Sequence, residues 1–297
     1  MQILRSSNLA PREARKEILA ALSGVSESDL RDWVSAISVP RNFHSQPEAN
    51  AKVRLQIAEW LRSFGYEVET QGPLSNIMAL PRDSSRPATL VGAHYDSVSE
   101  TPGADDNASA VAAMLGCAKA VARLTTPVPV GFVAFNCEEE GYVGSSDFVE
   151  YYKPPLRIAH THVLEMVGFA SSAKGSQRIP TGLPIQLPDT GHFLGLLAND
   201  ASSGEMKQIL QTARDYVPDL EVLALTVVQG AEQFFPVLAR SDHVPFWRVN
   251  IPAVMWTDTA EFRNVNYHRE TDTPGTLNYH FLRLVTQLLF ASVTAPL

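Results

Sequence analysis

The chain has 297 residues, 45% of them hydrophobic and 19% charged, the proportions of a globular fold with a large core. Its 24 basic and 32 acidic residues give a formal charge of −8 with no Lys/Arg run or basic stripe, which excludes nucleic acid as an expected partner. No stretch approaches the roughly 20 apolar residues of a membrane span, so no membrane partner is expected, and no apolar segment of signal-peptide type follows the basic residues near the N-terminus. The expected address is cytoplasmic as the sequence is written, or secreted or periplasmic if a leader has been removed.

In chain order, Ser26 to Ile37 is expected to be helical, with Ser26 and Ser28 as candidate caps. Pro47 to Phe64 places Val53, Ile57, Trp60, Leu61 and Phe64 at helical spacing, with Gly65 as terminator. Strand-like segments follow at 66–70, 76–80 and 88–93, the last running straight into His94. A helix is expected over Ser109–Leu124, just after Asp105-Asp106-Asn107. Val128–Phe135 is a nearly continuous apolar strand leading to Glu138, and Ile158–Met166 is a strand ending at Glu165. Later strands fall at 194–198, 223–228 and 253–256, and helices at 205–216 and 279–293. Apolar runs alternating with helices predict an α/β fold with a mixed, mostly parallel sheet covered by helices on both faces, a three-layer sandwich. With no repeat or linker, the chain reads as a single domain, residues 1–87 supplying helices and first strands and 88–297 the core of a site. Cys117 and Cys137 lie in apolar surroundings and read as buried free thiols rather than a disulfide.

Polar clusters recur where these strands give out, at His94, Glu138-Glu139, Glu165 and Asp258, and in open α/β sheets ligands bind at that edge. Asp96, two residues after His94, is placed to accept the second imidazole proton, an arrangement that fixes the tautomer of a metal-bound His. Asp105 and Asp106 exceed what a helix cap requires, and adjacent like charges call for a cation; a carboxylate bridging two metals satisfies this, and Asp105 is assigned as the bridge, with Asp106 assigned either to the substrate pocket or to the layer supporting the ligands. If Glu139 binds metal, its neighbour Glu138 stays free as general base on a metal-activated water. Gly141 and Gly144 let the backbone turn away. Glu165 adds an acid at a strand end. His160 and His162 share one strand face among apolar residues, which favours a structural role. In the segment 266–273, His268 supplies a second imidazole, Tyr267 is a candidate donor to an oxyanion, and Asp272 stands to orient either His268 or its loop. Asp242 and His243 are assigned either to the substrate pocket or to the layer supporting the ligands, and Trp256 and Phe262 to the side-chain pocket. Two imidazoles and three carboxylates suit two Zn²⁺ ions, each taking one His, one terminal carboxylate and the shared Asp.

The segments GAHYDS (92–97), PGADDNAS (102–109), EEEGYVGS (138–145), LEMVG (164–168), SDHVPF (241–246) and YHRETDT (267–273) resemble, in order, those of the M28 family of zinc peptidases. The resemblance implies a zinc-exopeptidase-like sandwich, a peptide with a free terminus as substrate, and His94, Asp105, Glu139, Glu165 and His268 as ligands. It also implies Glu138 as base, Tyr267 as oxyanion donor, and a cis peptide bond between the paired acids Asp105 and Asp106. Family aminopeptidases carry Asp where this chain has Glu165, and Glu there accompanies carboxypeptidase-type activity in related two-zinc peptidases. Aminopeptidase action is therefore the leading expectation, for a monomer or small homo-oligomer. The alternatives are carboxypeptidase-type specificity, a single-zinc glutaminyl cyclase, and a non-catalytic homologue acting as a binding module. The presence of His94 beside the second ligand set argues against the cyclase, and the intact ligands and Glu138 argue against the binding module.

Overall fold

The protein is described from a computed structural model covering residues 3–151, 156–228 and 230–295. Its strands are β1 (Ile3–Arg5), β2 (Val68–Gln71), β3 (Asn76–Ala79), β4 (Ala88–His94), β5 (Val130–Phe135), β6 (Ile158–Glu165), β7 (Leu194–Asn199), β8 (Val222–Val227) and β9 (Ala253–Thr257). They form one sheet in the order β1-β8-β7-β9-β6-β4-β5-β3-β2. The centre, β9-β6-β4-β5, is parallel throughout, and β7 pairs parallel with β8. Antiparallel pairs join β7 to β9 and close both flanks, β1 on β8 at one side and β5-β3-β2 at the other. Strands from the first 87 residues thus complete both edges of the sheet that carries the site. The three-residue β1 has too short a pattern to announce itself in sequence.

The helices are α1 (Lys16–Leu22), α2 (Glu27–Ile37), α3 (Pro47–Ser63), α4 (Ala110–Ala122), α5 (Val143–Tyr151), α6 (Ser203–Tyr216), α7 (Ala231–Phe234), α8 (His243–Arg248) and α9 (Tyr279–Thr294). At the start of α2 the Ser26 side chain accepts from Asp29 N–H, the capping bond its position predicts. After α3 the chain leaves through Gly65 at φ +91°, a left-handed conformation that glycine adopts without a Cβ clash.

β4 is buried along its whole length. Val91 and Ala93 join the larger core, to which α2, α4, α6 and α9 contribute, while Leu90 faces a second core holding Phe135, Phe148 and Phe246. Burial on both faces explains why β4 and β5 read as continuous apolar runs rather than alternating ones. Cys117 and Cys137 are both free and buried. Among the described residues no helix is long and apolar enough to cross a membrane.

Candidate metal centre

The C-terminal ends of β4, β5 and β6 bring His94, the Glu138-Glu139 turn and Glu165 to one edge of the parallel centre. The turn after β5 comes close to the strand: a Cβ on Gly144 would stand 1.8 Å from Asn136 O, so only glycine allows that approach. Asp96 fixes the same turn, accepting from Glu138 N–H and Glu139 N–H at 3.1 and 3.2 Å, and lies 3.4 Å from His94 Nδ1.

Two ligand sets converge on one carboxylate. His94 Nε2 lies 3.4 Å from Asp106 Oδ1 and 3.5 Å from Glu165 Oε2. His268 Nε2 lies 3.1 Å from Asp106 Oδ2 and 3.3 Å from Glu139 Oε2. Donors about 2.0–2.2 Å from a tetrahedral zinc stand roughly 3.3–3.5 Å from one another, which is this spacing. His94 Nε2 and Asp106 Oδ1 are buried without hydrogen-bond partners, as donors kept for an ion would be, while His94 Nδ1 faces Asp96. The residues therefore fit a co-catalytic pair of Zn²⁺ ions bridged by an aspartate, with His94 and Glu165 on one side and His268 and Glu139 on the other.

The bridging position corrects the assignment made from sequence. Asp106 points between the two sets, whereas Asp105 turns away, accepting from Gly168 N–H at 2.9 Å and from Asn264 Nδ2 at 2.7 Å. Adjacent residues on a loop point in different directions, and here other parts of the chain decide which faces inward. Asp272 accepts the N–H groups of both Asp105 and Asp106, so it orients the loop, and Asn107 bonds Leu164 O and Met166 N–H at the end of β6. Asp106 itself has non-helical φ −104° and ψ 87°. The cis peptide bond likewise falls one residue later than expected, at Asp106-Asn107.

Electrostatics at the centre follow from burying many acids together. Burial, and then the Glu165 charge, hold the Glu138 carboxyl well above the ordinary carboxylate range. Burial pushes Glu139 up to about 7, helped by Asp106. Against an opposing effect of burial, Asp106 and Glu139 push His268 up to about 10. Asp258 is driven well above its ordinary value by burial and by Asp105, whose carboxyl it faces. An excess of buried carboxylates over cations is the condition that bound divalent ions relieve.

Of the remaining candidates, Tyr267 lines the cavity that opens on the ligands, stacks on His268 with ring centroids 3.8 Å apart, and accepts a hydrogen bond from Arg240 Nη2. Phe262 lines that cavity too. Trp256 does not belong to the pocket: it is fully buried on the opposite face of the sheet, against His162. Asp242 is buried beside the ligands, where burial pushes it up to about 7. His243 is fully buried and packs edge-on against Trp247.

Several supporting residues were given no role by the sequence. Arg41 is fully buried and donates to the carbonyls of Val39, Tyr95, Pro102 and Gly103, tying the loop after β4 to the loop that carries Asp106. Ser241 donates to Glu165 Oε2 at 2.6 Å, and Asn264 holds Asp105. An arginine in an N-terminal loop or a serine before Asp-His carries no spacing rule; only proximity in space gives them their roles.

A separate grouping, His160, His162 and Glu205, lies on the other face of β6. Trp256 Nε1–H donates to His162 Nδ1 at 3.2 Å. An indole nitrogen can only donate, so the His162 proton sits on Nε2 and that atom has no lone pair for a metal. This favours a structural role for His162, and His160 Nε2 is bonded to Thr89 Oγ1 at 2.9 Å. Burial pushes Glu205 up to about 7, above the ordinary value of about 4.3. A carboxyl whose pKa rises on folding contributes stability below its ordinary pKa and loses it as pH climbs through the raised value. Glu205→Gln is therefore expected to come close to the native protein in urea unfolding at pH 4 and to exceed it at pH 8 by about 3–4 kcal/mol. Equal pH dependence in the two proteins would contradict this.

Fold and paired clusters together define the architecture of the two-metal zinc exopeptidases. The family model of Peptidase family M28 matches residues 76–293, and the chain belongs to that family. It is 34% identical over 224 residues to the uncharacterized protein YfbL of Escherichia coli, covering 71% of this chain and 67% of that protein. It is 28% identical over 220 residues to the aminopeptidase YwaD of Bacillus subtilis, covering 72% of this chain but only 42% of the relative. The fold of the LapA aminopeptidase of Legionella pneumophila superimposes with a TM-score of 0.73 at 16% identity, over 97% of this chain and 77% of that one.

Proposed function

We propose that the protein is a zinc-dependent aminopeptidase that hydrolyses the first peptide bond of peptides with a free N-terminus. The observation that carries the reading is Asp106 set between two ligand pairs, with Glu138 on the cavity wall beside them. When bound, the ions supply Lewis acidity, polarising the scissile carbonyl and acidifying the attacking water. Glu138, whose carboxyl sits 3.9 Å from His94 Nε2, takes the proton of that water and returns it to the leaving nitrogen. Burial raises the Tyr267 hydroxyl above its ordinary range, so it stays protonated and can donate to the carbonyl oxygen as negative charge develops there. Arg240 and the stacked His268 hold that ring in place. Asp96, through the backbone of the Glu138-Glu139 turn, keeps base and ligand in register.

The aminopeptidase assignment is supported by the activity named for the Bacillus relative, and Glu165 is the residue that bears on it. Mass spectrometry of peptides with free or blocked termini, with and without a chelator, tests it. Stepwise shortening from a free N-terminus, abolished by chelation and restored by zinc, is the expected result. Shortening from the C-terminus would transfer the reading to a carboxypeptidase. Loss of ammonia from N-terminal Gln would indicate a cyclase, and intact peptides throughout would leave a binding module.

A further inference from the structure

The cavity that opens on the ligands runs far beyond the depth of one side chain. Its floor follows the sheet register outward: Thr257 pairs with Glu165, Gly195 with Thr257, and Leu223 with Gly195. In the next row Met255, Leu197, Leu225 and Ile3 pair across β9, β7, β8 and β1. All of these residues line the cavity. With neighbouring strands about 4.8 Å apart, Leu223 stands about 14 Å from Glu165 along the sheet. Gly195 keeps the floor low beside Thr257, where an added Cβ would meet Thr257 O at 3.2 Å.

Polarity changes along this path. Glu165 with its neighbour Thr257, and Arg240 bonded to Tyr267 and Glu261, stand at the metal end, whereas Leu197, Leu225 and Met255, with Ile185 and Val237 packed against them, form one apolar cluster along the rest. The backbone of β7, β8 and β9 there is already committed to sheet pairing. A peptide backbone entering this part would give up its bonds to water and find no replacements, at about 1–3 kcal/mol per group. A hydrocarbon would gain about 25 cal/mol for each Å² of apolar surface removed from water. The cavity holds about 320 Å³, roughly twice the ~150 Å³ that accommodates benzene in an engineered protein core.

We propose that this cavity binds a linear hydrocarbon chain on the terminal unit of the substrate, longer than any encoded side chain, so that the preferred substrates are amphiphilic amides. The inference rests on the clusters being an amide-cleaving centre. With carbon–carbon bonds of about 1.5 Å, a zigzag chain advances about 1.3 Å per carbon, so the path to Leu223 takes roughly ten carbons.

The test is a series of α-amino acid anilides with methyl, butyl, octyl and decyl side chains, assayed on the zinc-loaded protein. The ratio kcat/KM is expected to rise at least about tenfold from butyl to octyl, well within the transfer free energy of four methylenes. Leu225→Trp, which fills the far part, is expected to cut the octyl-to-butyl ratio at least about fivefold. The series on the native protein decides the matter even if that variant does not fold. An octyl rate at or below the butyl rate overturns the cavity inference and leaves the peptidase reading standing. Failure to cleave any anilide or peptide overturns both.

Discussion

Glu138→Gln is expected to lower kcat by about 10²–10⁴-fold while the zinc content stays unchanged. Glutamine keeps the shape of the side chain and its place on the cavity wall, but its amide cannot accept and return a proton. Glu138 stands close enough to His94 and Glu139 to share an ion with them, yet it makes the longest of the contacts at the centre. Its carboxyl lies 3.9 Å from His94 Nε2, whereas the ligand contacts fall between 3.1 and 3.5 Å. Burial also holds its pKa well above the ordinary range, the direction that suits proton transfer near neutral pH. Steady-state kinetics together with metal analysis decide between two failures. Turnover at the native rate would remove Glu138 from the mechanism, and loss of zinc would make it a ligand.

Asp106→Asn is expected to weaken zinc binding at both sites together, by well over the 10–100-fold that follows loss of a residue supporting the ligands. One carboxylate reaches both imidazoles through its two oxygens, so an amide, with a single acceptor oxygen and no charge, cannot serve both ions. Asp105→Asn removes charge from a residue that bonds the protein rather than the metals. Its effect should stay within the supporting range and appear partly as lost thermal stability. Isothermal titration of the metal-free proteins with zinc distinguishes them. Equal losses for the two variants, or a larger loss for Asp105→Asn, would reinstate Asp105 as the bridge.

The contrast between these neighbours marks how far the sequence reaches. Apolar runs long enough to be buried on both faces marked β4 and β5, and helical spacing marked α2 with its serine cap and α3 with its glycine terminator, because those signals are local and repeat along the chain. Acids and imidazoles at strand ends then located His94, Glu138, Glu139 and Glu165, since parallel strands deliver their C-terminal ends to a common edge. Which of Asp105 and Asp106 faces the cleft was not legible. That choice is made by Asp272, Asn107 and Asn264, which meet the loop from distant parts of the chain. The same limit hid Arg41, whose guanidinium reaches four carbonyls only after folding, and placed Trp256 in the pocket although its strand register sends it to the other face. The sequence by itself determined the central strands, the ligand types and the chemistry they favour, because these depend on residue identity and short periodicities. Tertiary structure alone decided the bridge, the supporting bonds and the length of the cavity, because each depends on where side chains remote in sequence come to point.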